Sequence, residues 1–117
     1  DRRVNGVRES CAKGAARLSE WQAQAGSWDD ENIDHTMDCM RSLMLVTRIL
    51  AESSQNDTIM RGLGWIMNNK NEYGWGDFPG METNLERTCD GLDTMLKYKA
   101  YCHSEAAAVI KLWGYLP

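Results

Sequence analysis

The feature of this 117-residue chain that most restricts its fold is a motif that returns at a fixed spacing. In residues 13–28, KGAARLSEWQAQAGSW, a basic residue and Gly14 open a helical run that passes through Leu18 to Gln22, and Gly26 and Trp28 punctuate the turn that follows. From Arg61 the pattern restarts as RGLGWIMNNKNEYGW. Gly62 takes the place of Gly14, Ile66 of Leu18, Lys70 of Gln22 and Gly74 of Gly26, each 48 residues on, with Trp75 one residue early. A third copy begins at Lys111, 50 residues beyond Arg61, with Gly114, Tyr115 and Leu116 matching Gly64, Trp65 and Ile66. A period of this length marks a repeat architecture, in which each unit has an apolar face that only a neighbouring unit covers.

Between these motifs the apolar residues recur at helical spacing, and no stretch alternates with period two for long enough to make a strand. A first helix is expected over residues 4–25, with Val7, Cys11, Ala15, Leu18 and Gln22 on one stripe and Gly26 as its terminating glycine. A second, over residues 33–51, carries Ile33, Met37, Met40, Leu43, Met44, Leu45, Val46, Ile49 and Leu50, so it is the most apolar and should be central. Asp29, Asp30 and Glu31 precede it, where negative charge meets the positive end of the helix dipole. A third helix is expected over residues 58–69, capped by Asn56 or Asp57. Gly62 and Gly64 cost it roughly 1 kcal/mol each against alanine, which close helix contact would justify. After the loop YGWGDFPGMET, a fourth helix over residues 84–100 presents Leu85, Cys89, Leu92, Met95 and Leu96, and a fifth begins near Glu105. The second and fourth helices align at an offset of 52: Asp34-His35-Thr36 falls on Glu86-Arg87-Thr88, Asp38 on Asp90, Met40 on Leu92 and Met44 on Leu96. The repeating unit is therefore a helical hairpin, with copies at about residues 4–52 and 57–101 and the start of a third at 104–117.

Composition narrows the function. A net charge of −4 provides no basic field for a nucleic acid. No run approaches the roughly 18 apolar residues of a membrane span. Cys11, Cys39, Cys89 and Cys102 have neither metal-site spacing nor the density of a disulfide scaffold, which points to reduced thiols in a cytoplasmic protein.

Hairpins of this length bearing a basic residue and Gly, an aromatic-aliphatic pair, Gln and then GxW resemble the QW-motif repeats of squalene-hopene cyclases, oxidosqualene cyclases, plant-type diterpene cyclases and protein prenyltransferase β subunits. The first copy matches at Lys13, Gly14, Leu18, Gln22, Gly26 and Trp28, with Arg17 where an aromatic is expected. The second has Trp65 and Ile66 in place, but Lys70 for the Gln and one residue missing before Trp75, and continues as NEYGWGDFPG, similar to a segment common in those cyclases. The resemblance implies an all-α fold of the α/α-toroid type, here a partial barrel of two hairpins and the start of a third. It implies that Gln22, Gly26, Trp28, Gly74 and Trp75 are structural, the Gln amide tying helix end to turn and packing on the indole. It also implies that Met37, Met40, Met44, Leu92 and Leu96, on inner helices, line a pocket for an isoprenoid chain.

Candidate chemistry is sparser. Protonation-initiated cyclases use a DxDD acid, which is absent; Asp90 and Asp93 in CDGLD lie three apart on one helix face and are the nearest substitute, with an exposed or capping pair as the plainer reading. Asp29, Asp30 and Asp34 form DDxxxD, akin to the carboxylate clusters that hold Mg²⁺ against a diphosphate, although acidic residues suit a helix start in any case. His35 and Cys39, one turn apart in DHTMDCM, resemble part of the prenyltransferase zinc segment, but the companion DxC is missing and further ligands would be needed. Mg²⁺ and Zn²⁺ are thus the cofactors to consider, neither required.

Two functions are expected from these features. One is an isoprenoid-processing enzyme, or part of one, of the terpene cyclase or prenyltransferase type. The other is a non-catalytic helical-repeat module for binding or assembly that has lost the acid. The apolar face of the third copy, Val109, Ile110, Leu112, Trp113 and Leu116, calls for a covering partner, either further repeats or another chain, a copy of itself being simplest.

Overall fold

The computed structural model describes residues 1–51 and 54–112, with side chains described as far as His103. Among the described residues there are four helices and no strand: α1 (Arg2–Trp21), α2 (Ile33–Leu50), α3 (Asn56–Asn68) and α4 (Leu85–Leu112). The chain is all-α. No helix among the described residues is long and apolar enough to cross a membrane. The side chains of the third motif copy, from Lys111 onward, and the apolar face assigned to it lie outside the described residues.

The Asp1 carboxylate opens α1 by accepting from the Arg3 and Val4 amides at 2.8 and 3.1 Å. The helix stops at Trp21, earlier than the stripe through Gln22 suggests, because Gln22 turns to extended geometry and spends its side-chain amide elsewhere. Its Nε2 donates to Gly26 O at 3.0 Å and to Thr58 O at 2.9 Å, tying the end of α1 to its own turn and to the start of α3. Gly26 is therefore not the helix terminator. It sits inside the turn at φ +115°, where a Cβ would overlap the Arg61 carbonyl of α3.

As its apolar content suggests, α2 is central and packs against each of the other helices. Ile33, Met37, Met40 and Leu43 are fully buried and Met44 nearly so, each contributing about 1.5–3 kcal/mol of burial. Gly62 lets α3 approach, since a Cβ there would lie 2.9 Å from Met40 Cγ. Gly64 has open space around it, and nothing in the packing explains it. α3 starts earlier than expected, at Asn56 with Gln55 as its N-cap, and no described side chain caps it; Asp57 instead pairs with Arg61 at 3.1 Å.

α4 departs most from the sequence expectation. It is one helix where two were expected, running unbroken through residues 101–104. That stretch holds no Gly or Pro, and Tyr101, 5% exposed, continues the face that packs inward. The inward stripe is Arg87, Gly91, Thr94, Tyr98 and Tyr101, spaced four, three, four and three residues apart. Leu85, Leu92 and Leu96 point the other way and are 82%, 57% and 69% exposed.

Gly91 lies against the Trp75 ring with no room for a Cβ. Gly91→Ala should therefore lower stability in urea unfolding by about 1–3 kcal/mol through overpacking. Gly64→Ala, in open space on a helix, should raise it by about 0.5–1 kcal/mol.

Candidate functional site

The α1–α2 and α3–α4 connections are each closed around a tryptophan, and the two closures use the same bonds. The Trp28 indole N–H donates to Leu18 O at 2.8 Å, and its amide to Thr36 Oγ1 at 2.9 Å. The Trp75 indole donates to Ile66 O at 2.9 Å, and its amide to Thr88 Oγ1 at 3.2 Å. Behind each tryptophan an asparagine caps the next helix: Asn32 Oδ1 accepts from His35 N and Asn84 Oδ1 from Arg87 N, both at 2.8 Å. Both tryptophans are buried. Leu18 and Ile66, Thr36 and Thr88, and Asn32 and Asn84 hold matching places in the sequence register. Gln22 bridges turn and neighbour as described above, whereas Lys70, at the matching position, donates only to Asn71 O at 3.2 Å.

The candidate acids all lie on a ladder of charge between α2 and α4. Arg87, 8% exposed at its side chain, contacts Asp34, Asp77 at 3.3 Å, Glu86 at 3.1 Å and Asp90 at 2.9 Å. Arg41 contacts Asp38, Asp90 at 3.6 Å and Asp93 at 3.1 Å, and Lys97 closes the series on Asp93 at 3.0 Å. Burial alone would weaken the charge of both guanidiniums, but the surrounding carboxylates outweigh it and hold both above their ordinary value. Hydrogen bonds from Lys97 first, and from Arg41, hold the Asp93 carboxyl below the usual carboxylate range. That is the opposite of what a proton donor to an alkene requires.

The residues considered for metals do not converge. Asp34 is drawn to Arg87, the Asp29 carboxylate accepts from His35 Nδ1 at 2.5 Å, and Asp30 is exposed. Cys39 is half-buried, and desolvation first, with Asp38 and Asp29 adding, pushes its thiol up to about 11. Among the described residues no group of three or more His, Cys, Asp or Glu is placed to hold a metal ion. These side chains by themselves supply no three-ligand set for Mg²⁺ or Zn²⁺ among the described residues.

Concavities open on either side of α2 among the described residues. The first, about 370 Å³, opens between α2 and α4 and is lined by Met44, Leu45, Arg41, Arg48, Lys97 and Ala100. Of the residues expected to line a pocket, only Met44 reaches it; Met37 and Met40 are sealed in the core, and Leu92 and Leu96 face out. Arg48 forms no ion pair among the described residues. Its position, two helical turns beyond Arg41 on the same element, was the available signal, hidden by the apolar run around it. The second concavity, about 500 Å³, is a groove between the end of α1 and the start of α2, lined by Leu18, Trp21, Trp28, His35, Asp38 and Cys39. Trp21 was not singled out by its sequence stripe; it is 65% exposed, with the Arg17 guanidinium 5.7 Å above its ring.

Comparison with family models, with curated proteins and with solved structures yields no match.

Because Asp93 is held below its unfolded value, the stability it contributes is complete above the ordinary carboxylate pKa of about 3.9 and is lost as pH falls through the lowered native value. An NMR titration should show Asp93 protonating below that ordinary value in the native protein, and Lys97→Met should move it upward. At neutral pH, Cys39 should alkylate more slowly than the exposed Cys89 and Cys102, gaining rate only in strong alkali. Mass-resolved iodoacetamide labelling reads this directly.

Proposed function

We propose that this chain is a non-catalytic binding module built from two helical hairpins of the toroid kind, similar to the repeats of terpene cyclases and protein prenyltransferases. Its ligand is an isoprenoid-like chain with an anionic head, held between α2 and α4. The observation that carries this reading is the 370 Å³ cavity, in which Met44 and Leu45 lie beside Arg41, Arg48 and Lys97. Methionine adapts to a flexible apolar chain, and guanidinium forks suit a diphosphate. Arg48 brings a charge that no described carboxylate neutralises, so a ligand anion gains most there.

The recurrence of the tryptophan bonds in both hairpins supports the repeat relationship. The engagement of Asp90 and Asp93 by arginine and lysine supports binding over turnover. Four unpaired thiols suit a reducing, cytoplasmic setting.

Calorimetric titration with farnesyl diphosphate tests the reading. Saturable binding is expected, weakened at least tenfold, or about 1.4 kcal/mol, by Arg48→Glu. Mass spectrometry after incubation with farnesyl diphosphate, geranylgeranyl diphosphate or squalene should show no product. Absence of binding would remove the proposal, and conversion abolished by Asp90→Asn would replace it with the catalytic reading.

A further inference from the structure

α1 and α2 are joined to the second half of the chain at Gln22 and along α2, and several side chains of the α2 contacts have register counterparts that lie exposed on the two outer edges of the molecule. Asp34 of α2 pairs with Arg87 of α4, and Met40 of α2 fills the space left by Gly62 of α3. Ile33, at the start of α2, is fully buried, and its amide donates to Asp77 O in the second turn at 3.0 Å.

In the repeat register, 52 residues on, Ile33, Asp34 and Met40 become Leu85, Glu86 and Leu92. All three are exposed on α4: Leu85 is 82% and Leu92 57% exposed, and the Glu86 side chain is 81% exposed while pairing with its neighbour Arg87. Conversely, the residues of the first hairpin that correspond to Arg87 and Gly62 are His35 and Gly14. His35 is exposed, and a Cβ on Gly14 would meet nothing within 4 Å. Beside His35 lies the 500 Å³ groove of Leu18, Trp21 and Cys39. In the second hairpin the matching residues, Ile66 and Gly91, are buried. One edge therefore carries the projecting side chains of the internal junction, and the other carries its receiving notch.

We propose that the chain associates head to tail with a second copy of itself. The α4 face of one copy seats on the α1–α2 edge of the next, repeating the junction that joins its own two hairpins. Leu92 enters the notch at Gly14 of the second copy, as Met40 does at Gly62. Leu85 enters the groove beside Trp21. Glu86 comes beside His35, whose Nδ1 is held by Asp29 so that Nε2 is the atom left to face it, as Asp34 comes beside Arg87. The proposal rests on the hairpin-repeat reading above and not on the ligand. Because the two surfaces differ, the contact is heterologous, and it builds a ring if the rotation closes and an open chain if it does not.

Sedimentation velocity over a wide concentration range tests this. The wild-type chain should assemble progressively. Leu85→Asp with Leu92→Asp blocks one edge, and Gly14→Leu blocks the other. Each variant alone should lose at least tenfold in association constant, with helix content unchanged by circular dichroism because every substituted position is exposed. Mixed in equal amounts, the two variants should recover a dimer and nothing larger, since one sound edge of each kind remains. A wild-type chain that stays monomeric would assign the α4 face to another occupant, such as a further hairpin of the same repeat, and overturn the proposal; so would a mixture that stays monomeric, or association that survives both substitutions. Farnesyl diphosphate binding by the monomeric variants reports separately on the ligand reading, because Arg48 belongs to neither edge.

Discussion

The architecture depends on a bond that satisfies two needs at once. A buried indole brings a large apolar surface and one N–H that must find an acceptor. The last turn of a helix leaves carbonyls without partners. Trp28 and Trp75 each donate to such a carbonyl, Leu18 O near the end of α1 and Ile66 O near the end of α3. The same residues give their backbone amides to Thr36 and Thr88 on the following helices. Each tryptophan thus fixes the end of one helix against the start of the next, and the angle between them follows. The close approach this needs is supplied by glycine: Gly62 stands 3.4 Å by its would-be Cβ from the Trp28 ring, and Gly91 lies against that of Trp75.

The ladder between α2 and α4 does a different job. Exposed ion pairs stabilise by at most about 1 kcal/mol, and buried ones repay their desolvation only in good geometry. What alternating charge provides is register. Arg87 is held between Asp34 of α2 and Asp90 of α4, and Arg41 between Asp38 of α2 and Asp93 of α4. Sliding one helix past the other by a turn would bring carboxylates together and leave a largely buried guanidinium without partners. The inward stripe of α4 is otherwise small or polar at Gly91 and Thr94, so charge carries a specification that apolar packing there cannot.

Much of this was legible because the recurring motif aligns one half of the sequence with the other. The offset of 48 brought Leu18 to Ile66, and the offset of 52 brought Thr36 to Thr88, which are the partners of the two tryptophans. The asparagine caps, Asn32 and Asn84, share that second offset and could have been read the same way. The end of α1 was not legible, since Gln22 is a good helix former whose bond to Thr58 O is tertiary. Nor was the buried face of α4. Leu85, Leu92 and Leu96 make the more apolar stripe, yet Arg87, Gly91 and Thr94 go inside, because the neighbour is α2 with its own charges. Hydrophobicity identifies a face that calls for cover; it does not say that the cover lies within the same chain.

The two turns show how loop length decides which contacts a repeat can make. Trp28 O and Asn32 N meet at 3.2 Å across a short segment, which succeeds only because Asp29, Asp30 and Glu31 all take positive φ of 52°, 51° and 63°. Side chains rarely adopt that geometry, at a cost of about 1–2 kcal/mol per residue, somewhat less for Asp. The compact turn keeps Asp29 within its own hairpin, on His35. Trp75 O and Asn84 N meet at 2.9 Å across the longer segment containing FPGME, where Gly80 supplies the positive φ. That slack lets Asp77 reach outward: its carbonyl accepts from Ile33 N, its carboxylate lies 3.3 Å from Arg87, and Asn84 steadies it at 2.9 Å. The inserted residues are thus the strap that binds the α3–α4 connection to the start of α2. The first hairpin, with its tight turn, has no such strap, and its edge remains an open groove.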